Sequence, residues 1–184
     1  MNILIINGFE KHVDANGQLN NRLFTEYVRQ FKNKHDIKIT FIEDYKRTEE
    51  INKWLWADLI IIQFPIYWFN VPGALKSYFD DVFAYGIFYG LDYTKYGQGG
   101  RLFGKKFMLS TTWNAPTAAF NDNNQFFNGM SVSDILQPTI KALEFIGLTS
   151  WSQDGVISCH DVIHNPEIEL YLSEQKQFIE EVNV

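Results

Sequence analysis

Apolar residues along this chain fall into two alternating rhythms, and that alternation predicts strand and helix by turns. Short β-branched or aromatic runs occur at 2–6, 37–41, 59–64, 106–112 and, more weakly, 149–158. Between them, apolar positions recur every three or four residues, as in Leu19, Leu23, Phe24, Tyr27, Val28 and Phe31 within 17–34. That spacing makes one stripe on a helix. Similar stripes predict helices over 48–56, 73–82, 135–146 and 166–181. Thr48 with Glu50, and Ser133-Asp134, are the expected N-terminal caps of two of them. The densest run, Leu59-Ile60-Ile61-Ile62-Gln63-Phe64, reads as a strand covered on both faces. Pro65 stops its ladder, and Ile66, Tyr67 and Trp68 follow at once.

A strict strand–helix alternation predicts an α/β fold: a parallel sheet with helices on both faces, its strands joined by right-handed crossovers. Five strands suit the flavodoxin-like order 2-1-3-4-5, in one domain spanning 1–184. In such sheets ligands bind beyond the carboxyl ends of the strands, at the switch point between strands one and three. Three stretches therefore converge there: 7–20, 65–68 and 112–116.

Each stretch brings a different capability. Asn16, Gly17, Gln18, Leu19 and Asn20 open the first helix, where unpaired N–H groups and the positive dipole end attract phosphate. Asn16 as a plain helix cap is the alternative. Tyr67 and Trp68 present faces for a flat heterocycle, or else pack in the core. Asn114 and neighbouring amides can hydrogen-bond the rim of such a ring. A flavin nucleotide suits this set better than a metal or a peptide. His160 and His164 lack a third ligand, and Asn165-Pro166 breaks a helix beside them. No nucleophile elbow or Cys–His pairing is present.

Composition removes other classes. A net charge of −6 and a pI near 5.2 leave no basic stripe for nucleic acid. Cys159 is the single cysteine of 184 residues, so no intrachain disulfide forms, and it reads as a small packed side chain. With a strand starting at residue 2 and no long apolar run, the expectation is a cytoplasmic protein without membrane insertion. Residues 84–104 combine six glycines with Tyr85, Phe88, Tyr89, Tyr93 and Tyr96. A loop of that length and composition is usually functional. With Phe120, Phe126 and Phe127 these rings are expected at the ligand-bearing end, buried against a second copy.

Taken in order, residues 2–8 (NILIING), 16–20 (NGQLN), 55–58 (LWAD), 80–83 (DDVF), 95–100 (KYGQGG) and 104–116 (GKKFMLSTTWNAP) resemble the flavodoxin-like NAD(P)H:quinone oxidoreductases. The bacterial branch called modulator of drug activity B is the most similar. The resemblance implies a homodimeric enzyme with FAD, rather than FMN, that reduces quinones by two electrons from NADPH or NADH in ping-pong fashion. It sets the FAD phosphates against Asn16 to Asn20 and the isoalloxazine against Pro65, Ile66, Tyr67, Trp68, Thr112, Trp113, Asn114 and Ala115. Tyr96 then lies near the cofactor, and backbone N–H groups around Trp113 and Asn114 stabilise the reduced ring. No side chain stands out as an essential acid or base. Departures exist: Asp14-Ala15 replaces His-Ser, Ile66-Tyr67-Trp68 replaces Gly-Trp-Trp, and the loop over 81–96 is short. Other readings are a flavin-binding regulatory subunit of an ion-efflux system, an FMN-dependent azoreductase or nitroreductase, and a one-electron flavodoxin.

Overall fold

The structure, a computed structural model, describes residues 1–13 and 15–183. Its strands are β1 (Asn2–Asn7), β2 (Asp36–Phe41), β3 (Leu59–Pro65), β4 (Lys106–Thr112), β5 (Thr149–Ser150) and β6 (Val156–Cys159). Its helices are α1 (Gln18–Phe31), α2 (Arg47–Trp56), α3 (Gly73–Val82), α4 (Val132–Ile135), α5 (Gln137–Phe145) and α6 (Ile168–Val182). All strand pairings are parallel, in the order β2-β1-β3-β4-β5, with β6 also beside β4. The flavodoxin-like architecture expected from the rhythm is the one observed.

Alternation within the strands explains the layers, because successive side chains leave a strand on opposite faces. Ile3, Ile5, Leu59, Ile61 and Met108 pack with Phe24, Tyr27 and Phe31 of α1 and Phe178 and Ile179 of α6. Leu4, Ile6, Ile60, Ile62, Phe64 and Leu109 pack with Trp54 of α2, Leu75 and Tyr78 of α3 and Leu143 of α5. Burying each such side chain contributes roughly 1.5–3 kcal/mol. Among the described residues, no helix is long and apolar enough to cross a membrane.

Four local features differ from the sequence reading. The weak fifth strand is two short pieces, separated by the polar turn that holds Ser152 to Gly155. The helix expected over 135–146 starts earlier, capped by Ser131 with a reciprocal Asp134 contact, and breaks at Leu136. Pro138 accounts for the break, since proline has no N–H to continue the ladder. Glu50 does not help to cap α2: it is buried, accepting from Thr40 Oγ1 and Tyr78 OH (both 2.7 Å) and Lys53 Nζ (2.6 Å).

The fourth difference concerns the loop over 84–104, which links the C-terminus of α3 to the N-terminus of β4. It therefore lies at the amino ends of the strands, opposite the expected ligand end. Its hydrogen bonds agree: the Arg101 and Leu102 N–H groups donate to the Ile146 carbonyl at the end of α5. Lys105 Nζ donates to the Leu55 and Ala57 carbonyls at the end of α2. Only Phe120, Phe126 and Phe127 sit on the other side, after β4. Phe88, Phe120 and Phe127 are moreover buried within their own chain.

Candidate functional site

At the carboxyl ends of β1, β3, β4 and β6, loops enclose a cleft of about 250 Å³. Asn16, Gly17, Gln18, Leu19, Asn20, Pro65, Ile66, Tyr67, Thr112 and Asn114 line it, together with Phe9, Ala15, Val162 and Ile163. Ten of the fourteen residues singled out from sequence thus share one cavity.

One wall is the start of α1. Gly17 precedes it with φ 71°, a left-handed conformation that costs glycine little. A Cβ there would sit 2.6 Å from the Phe9 ring, so the backbone itself forms this wall. The Asn16 side chain accepts from the Gln18 N–H at 3.3 Å, while the N–H groups of Leu19 and Asn20 have no acceptor within the helix. Asn20 itself turns inward: Nδ2 donates to Asn7 Oδ1 at 2.8 Å, and Oδ1 accepts from Gln63 Nε2 at 3.1 Å. Gln63 Oε1 accepts from Ser110 Oγ (2.6 Å) and Tyr171 OH (3.1 Å), and Tyr27 OH donates to Ser110 Oγ at 3.1 Å. A buried polar chain therefore anchors the first turn of α1 to β1, β3, β4 and α6. Burial raises the Tyr27 hydroxyl to about 12, and that of Tyr171 also rises, so both stay protonated.

The opposite wall is the turn after β3. Tyr67 and Asn70 exchange backbone hydrogen bonds at 3.0 and 3.1 Å. Between them Trp68 (φ 48°) and Phe69 (φ 64°) are both left-handed, the primed hairpin geometry that usually selects Asn-Gly. Tyr67 OH donates to the Glu10 carbonyl at 2.8 Å, and Glu10 Oε2 accepts from the Ala74 N–H at 2.9 Å. The two loops are thereby tied together across the mouth. Burial, then the negative fields of Glu10 and Glu43, hold the Tyr67 hydroxyl above its ordinary range. It is a fixed donor, not a base.

Four expected residues lie elsewhere. Trp68 is 91% exposed beside the mouth and does not line the cleft. Trp113 is buried, and its N–H donates to the Cys159 carbonyl at 2.8 Å in the sheet, so it is no free donor. Ala115 stands behind the lining, its carbonyl accepting from Asp161 N–H at 3.2 Å. Tyr96 is 85% exposed at the far end of the sheet, its ring 5.7 Å from Phe145. Val162 and Ile163 escaped the sequence reading, and Phe9 falls in the expected 7–20 stretch without having been singled out. The apolar pair Val162-Ile163 following the weak last strand was their one available signal. Asp14 lies outside the described residues.

A roomier cleft, about 510 Å³, separates α1 from α6. It is lined by side chains such as Glu26, Gln30 and Lys176, without an aromatic face, and lies away from the strand ends.

The residue 1–177 segment matches the family model described as flavodoxin-like fold. The chain belongs to the flavodoxin-like fold family. NADPH:quinone oxidoreductase MdaB of Haemophilus influenzae is 36% identical over 193 positions, covering 99% of either chain. That match agrees with the resemblance read from the ordered motifs. The solved structure of an NADPH-quinone reductase from P. pentosaceus superposes with a TM-score of 0.68 at 19% identity, over 97% of this chain and 98% of its own. An FMN-dependent NADH-azoreductase from Bacillus anthracis, solved with FMN, gives a TM-score of 0.65 at 17% identity, over 100% and 98%. Likenesses at such identity speak for the fold alone. In this flavodoxin-like chain the cleft suits a phosphorylated flat cofactor: first-turn N–H groups at one end, Pro65, Ile66 and Tyr67 along the floor, Thr112 and Asn114 at the rim.

Proposed function

We propose that the protein is a flavin-dependent NAD(P)H:quinone oxidoreductase that works as a homodimer. The observation that carries this is the convergence of an open helix N-terminus, an aromatic floor and polar rim groups in one cleft at the sheet's switch point. The relative of full-length similarity named as an NADPH:quinone oxidoreductase supports the same reading.

Leu19 and Asn20 N–H groups would hold the phosphate, favoured by the dipole of α1. Pro65, Ile66 and Tyr67 would carry the ring, with Thr112 and Asn114 at its edge. The bound flavin supplies a centre that takes hydride from a nicotinamide and gives it to a quinone. The chain's own task is orientation and electrostatics. Tyr67 stays protonated and fixed to Glu10, which keeps both walls in register as ligands exchange. Among the described lining residues Tyr67 is the one titratable side chain and it stays a donor, so the proton that the reduced quinone requires would come from solvent. A single cleft serving donor and acceptor in turn implies ping-pong kinetics.

The cleft of about 250 Å³ is small for a flavin nucleotide, since ligand pockets run from about 300 Å³ upward. Something else must cover the cofactor. The far-end loop offers Tyr85, Leu91, Tyr96 and Phe103, all largely exposed. Such apolar side chains, three of them aromatic, fit the aromatic-rich core of an interface. We assign the cover to that loop from a second copy. It cannot shelter the adenine of its own chain's cofactor, being at the wrong end of the sheet.

The test is direct. Purified protein should be yellow, release FAD on heating, and oxidise NADPH rapidly with menadione. Flavin binding with negligible turnover would instead identify a regulatory module. Release of FMN alone at one per chain would reject FAD and favour an azoreductase-like enzyme.

A further inference from the structure

The turn after β4 holds the rim of the cleft, and only part of its backbone is free to act there. Trp113 N–H is spent in the sheet, and Pro116 has none. The N–H groups of Asn114 and Ala115 carry no hydrogen bond among the described residues. They are the remaining backbone donors of this turn. What holds them is the segment following β6. Val162 N–H donates to the Trp113 carbonyl at 3.1 Å, and Asp161 N–H to the Ala115 carbonyl at 3.2 Å. The Ala115 carbonyl also lies 3.2 Å from His160 Nδ1. A carbonyl only accepts, so the Nδ1 atom bears the proton.

The His160 ring is wedged in place. Its centroid is 6.3 Å from that of Trp113, nearly parallel at 18°, and 5.0 Å from that of Phe120 at 66°. The residue is 8% exposed. Asp161 adopts φ 47°, a left-handed bend that brings its own N–H onto the carbonyl that His160 serves. One peptide oxygen at the rim is thus gripped twice, once by a side chain that aromatic packing immobilises.

We propose that His160 is a positioning residue: its Nδ1–H fixes the Ala115 carbonyl and thereby aims the neighbouring Asn114 N–H, at the rim of the cleft, at the electron-rich edge of the bound flavin. This rests on the flavin reading of the cleft. Donors aimed where negative charge develops favour the reduced ring over the oxidised one. His160 thus sets the midpoint potential without touching the cofactor.

Two substitutions separate the donor from the ring. His160→Phe keeps the wedge between Trp113 and Phe120 and removes the donor. Ala115 O remains paired with Asp161 N–H, so no acceptor is orphaned and the fold should persist. His160→Asn loses the ring and keeps an amide donor near Nδ1. Flavin-free His160→Phe should show lower backbone order parameters at Asn114 and Ala115 by NMR relaxation, because the peptide is no longer held by His160 from its carbonyl side. Its affinity for reduced relative to oxidised flavin should fall about tenfold, which for a two-electron couple shifts the midpoint about 30 mV negative. His160→Asn should keep the wild-type midpoint despite a lower melting temperature. An unchanged midpoint and unchanged backbone order parameters in His160→Phe would overturn the assignment while the flavin reading stands. A shifted midpoint in His160→Asn would overturn it too, even if His160→Phe failed to fold. Wild-type protein that takes up no flavin would remove the reading and this proposal together.

Discussion

Trp68 sits where the fold alone would prefer glycine, and replacing it with glycine should stabilise the protein. An L-residue in the left-handed region costs roughly 1–2 kcal/mol. Trp68 holds φ 48° with 91% of its surface exposed, so little burial is lost with the ring. Glycine restores roughly 0.5–1 kcal/mol of chain entropy to the unfolded state, which offsets part of the relief. The net expectation for Trp68→Gly is a gain of about 0.5–1 kcal/mol, a rise in melting temperature of roughly 1–4 °C for a chain of this size. Trp68→Ala keeps the strain and should change stability by less than about 0.5 kcal/mol. Trp68 stands outside the cleft, so turnover should fall, by roughly two- to tenfold, only if an acceptor overhanging the mouth stacks on the exposed ring. Differential scanning calorimetry of flavin-free protein and menadione kinetics provide the two readings. A melting temperature that drops by several degrees in Trp68→Gly, with unchanged turnover in what folds, would mean that the ring packs the fold and the strain argument is wrong.

Gln63→Leu should destabilise the flavin-free protein by roughly 2–4 kcal/mol, as Asn20 Oδ1 and the buried Ser110 and Tyr171 hydroxyls lose a partner; urea unfolding gives the value, and a loss under 1 kcal/mol would mean that water replaces the amide. His160 has its pKa lowered from 6.5 by burial, against the opposing Ala115 contact and Glu167 charge. A base depressed in the folded state stabilises fully above its unfolded pKa, and that contribution is lost as pH falls through the folded value. Stability should therefore decline below about pH 6.5 with a shallower slope in His160→Asn, measured by urea unfolding across pH. Cys159 is fully buried with its thiol pushed up to about 11, so iodoacetamide at pH 8 should label it only after denaturation. Sedimentation at low micromolar concentration should give one species near twice 21.5 kDa; a fully active, flavin-loaded monomer would defeat the dimer.

What was legible in the sequence followed from periodicity. Ile60 and Ile61 leave β3 on opposite faces, and a run without polar interruption admits only a doubly covered strand. Once the strands are parallel, the switch point and its three loops follow, and so did most of the cleft. Side-chain direction was not legible. Asn20 could cap, bind or turn inward, and only the positions of Asn7 and Gln63 decide for the interior. Trp113 and Trp68 were indistinguishable as residue types, yet one is buried at a strand end and the other projects from a left-handed turn. The loop over 84–104 was misplaced because ring count says nothing of location. Its place after a helix and before a parallel strand was the better guide.

That placement has a genetic consequence. If the loop of one copy covers the cleft of the other, each chain donates a receptor at one end of its sheet and a cover at the other. A chain damaged at Tyr67 and a chain damaged at Tyr96 would each form inactive dimers with themselves. Mixed, half of their dimers would pair an intact cleft with an intact cover, and activity would return from two silent parents.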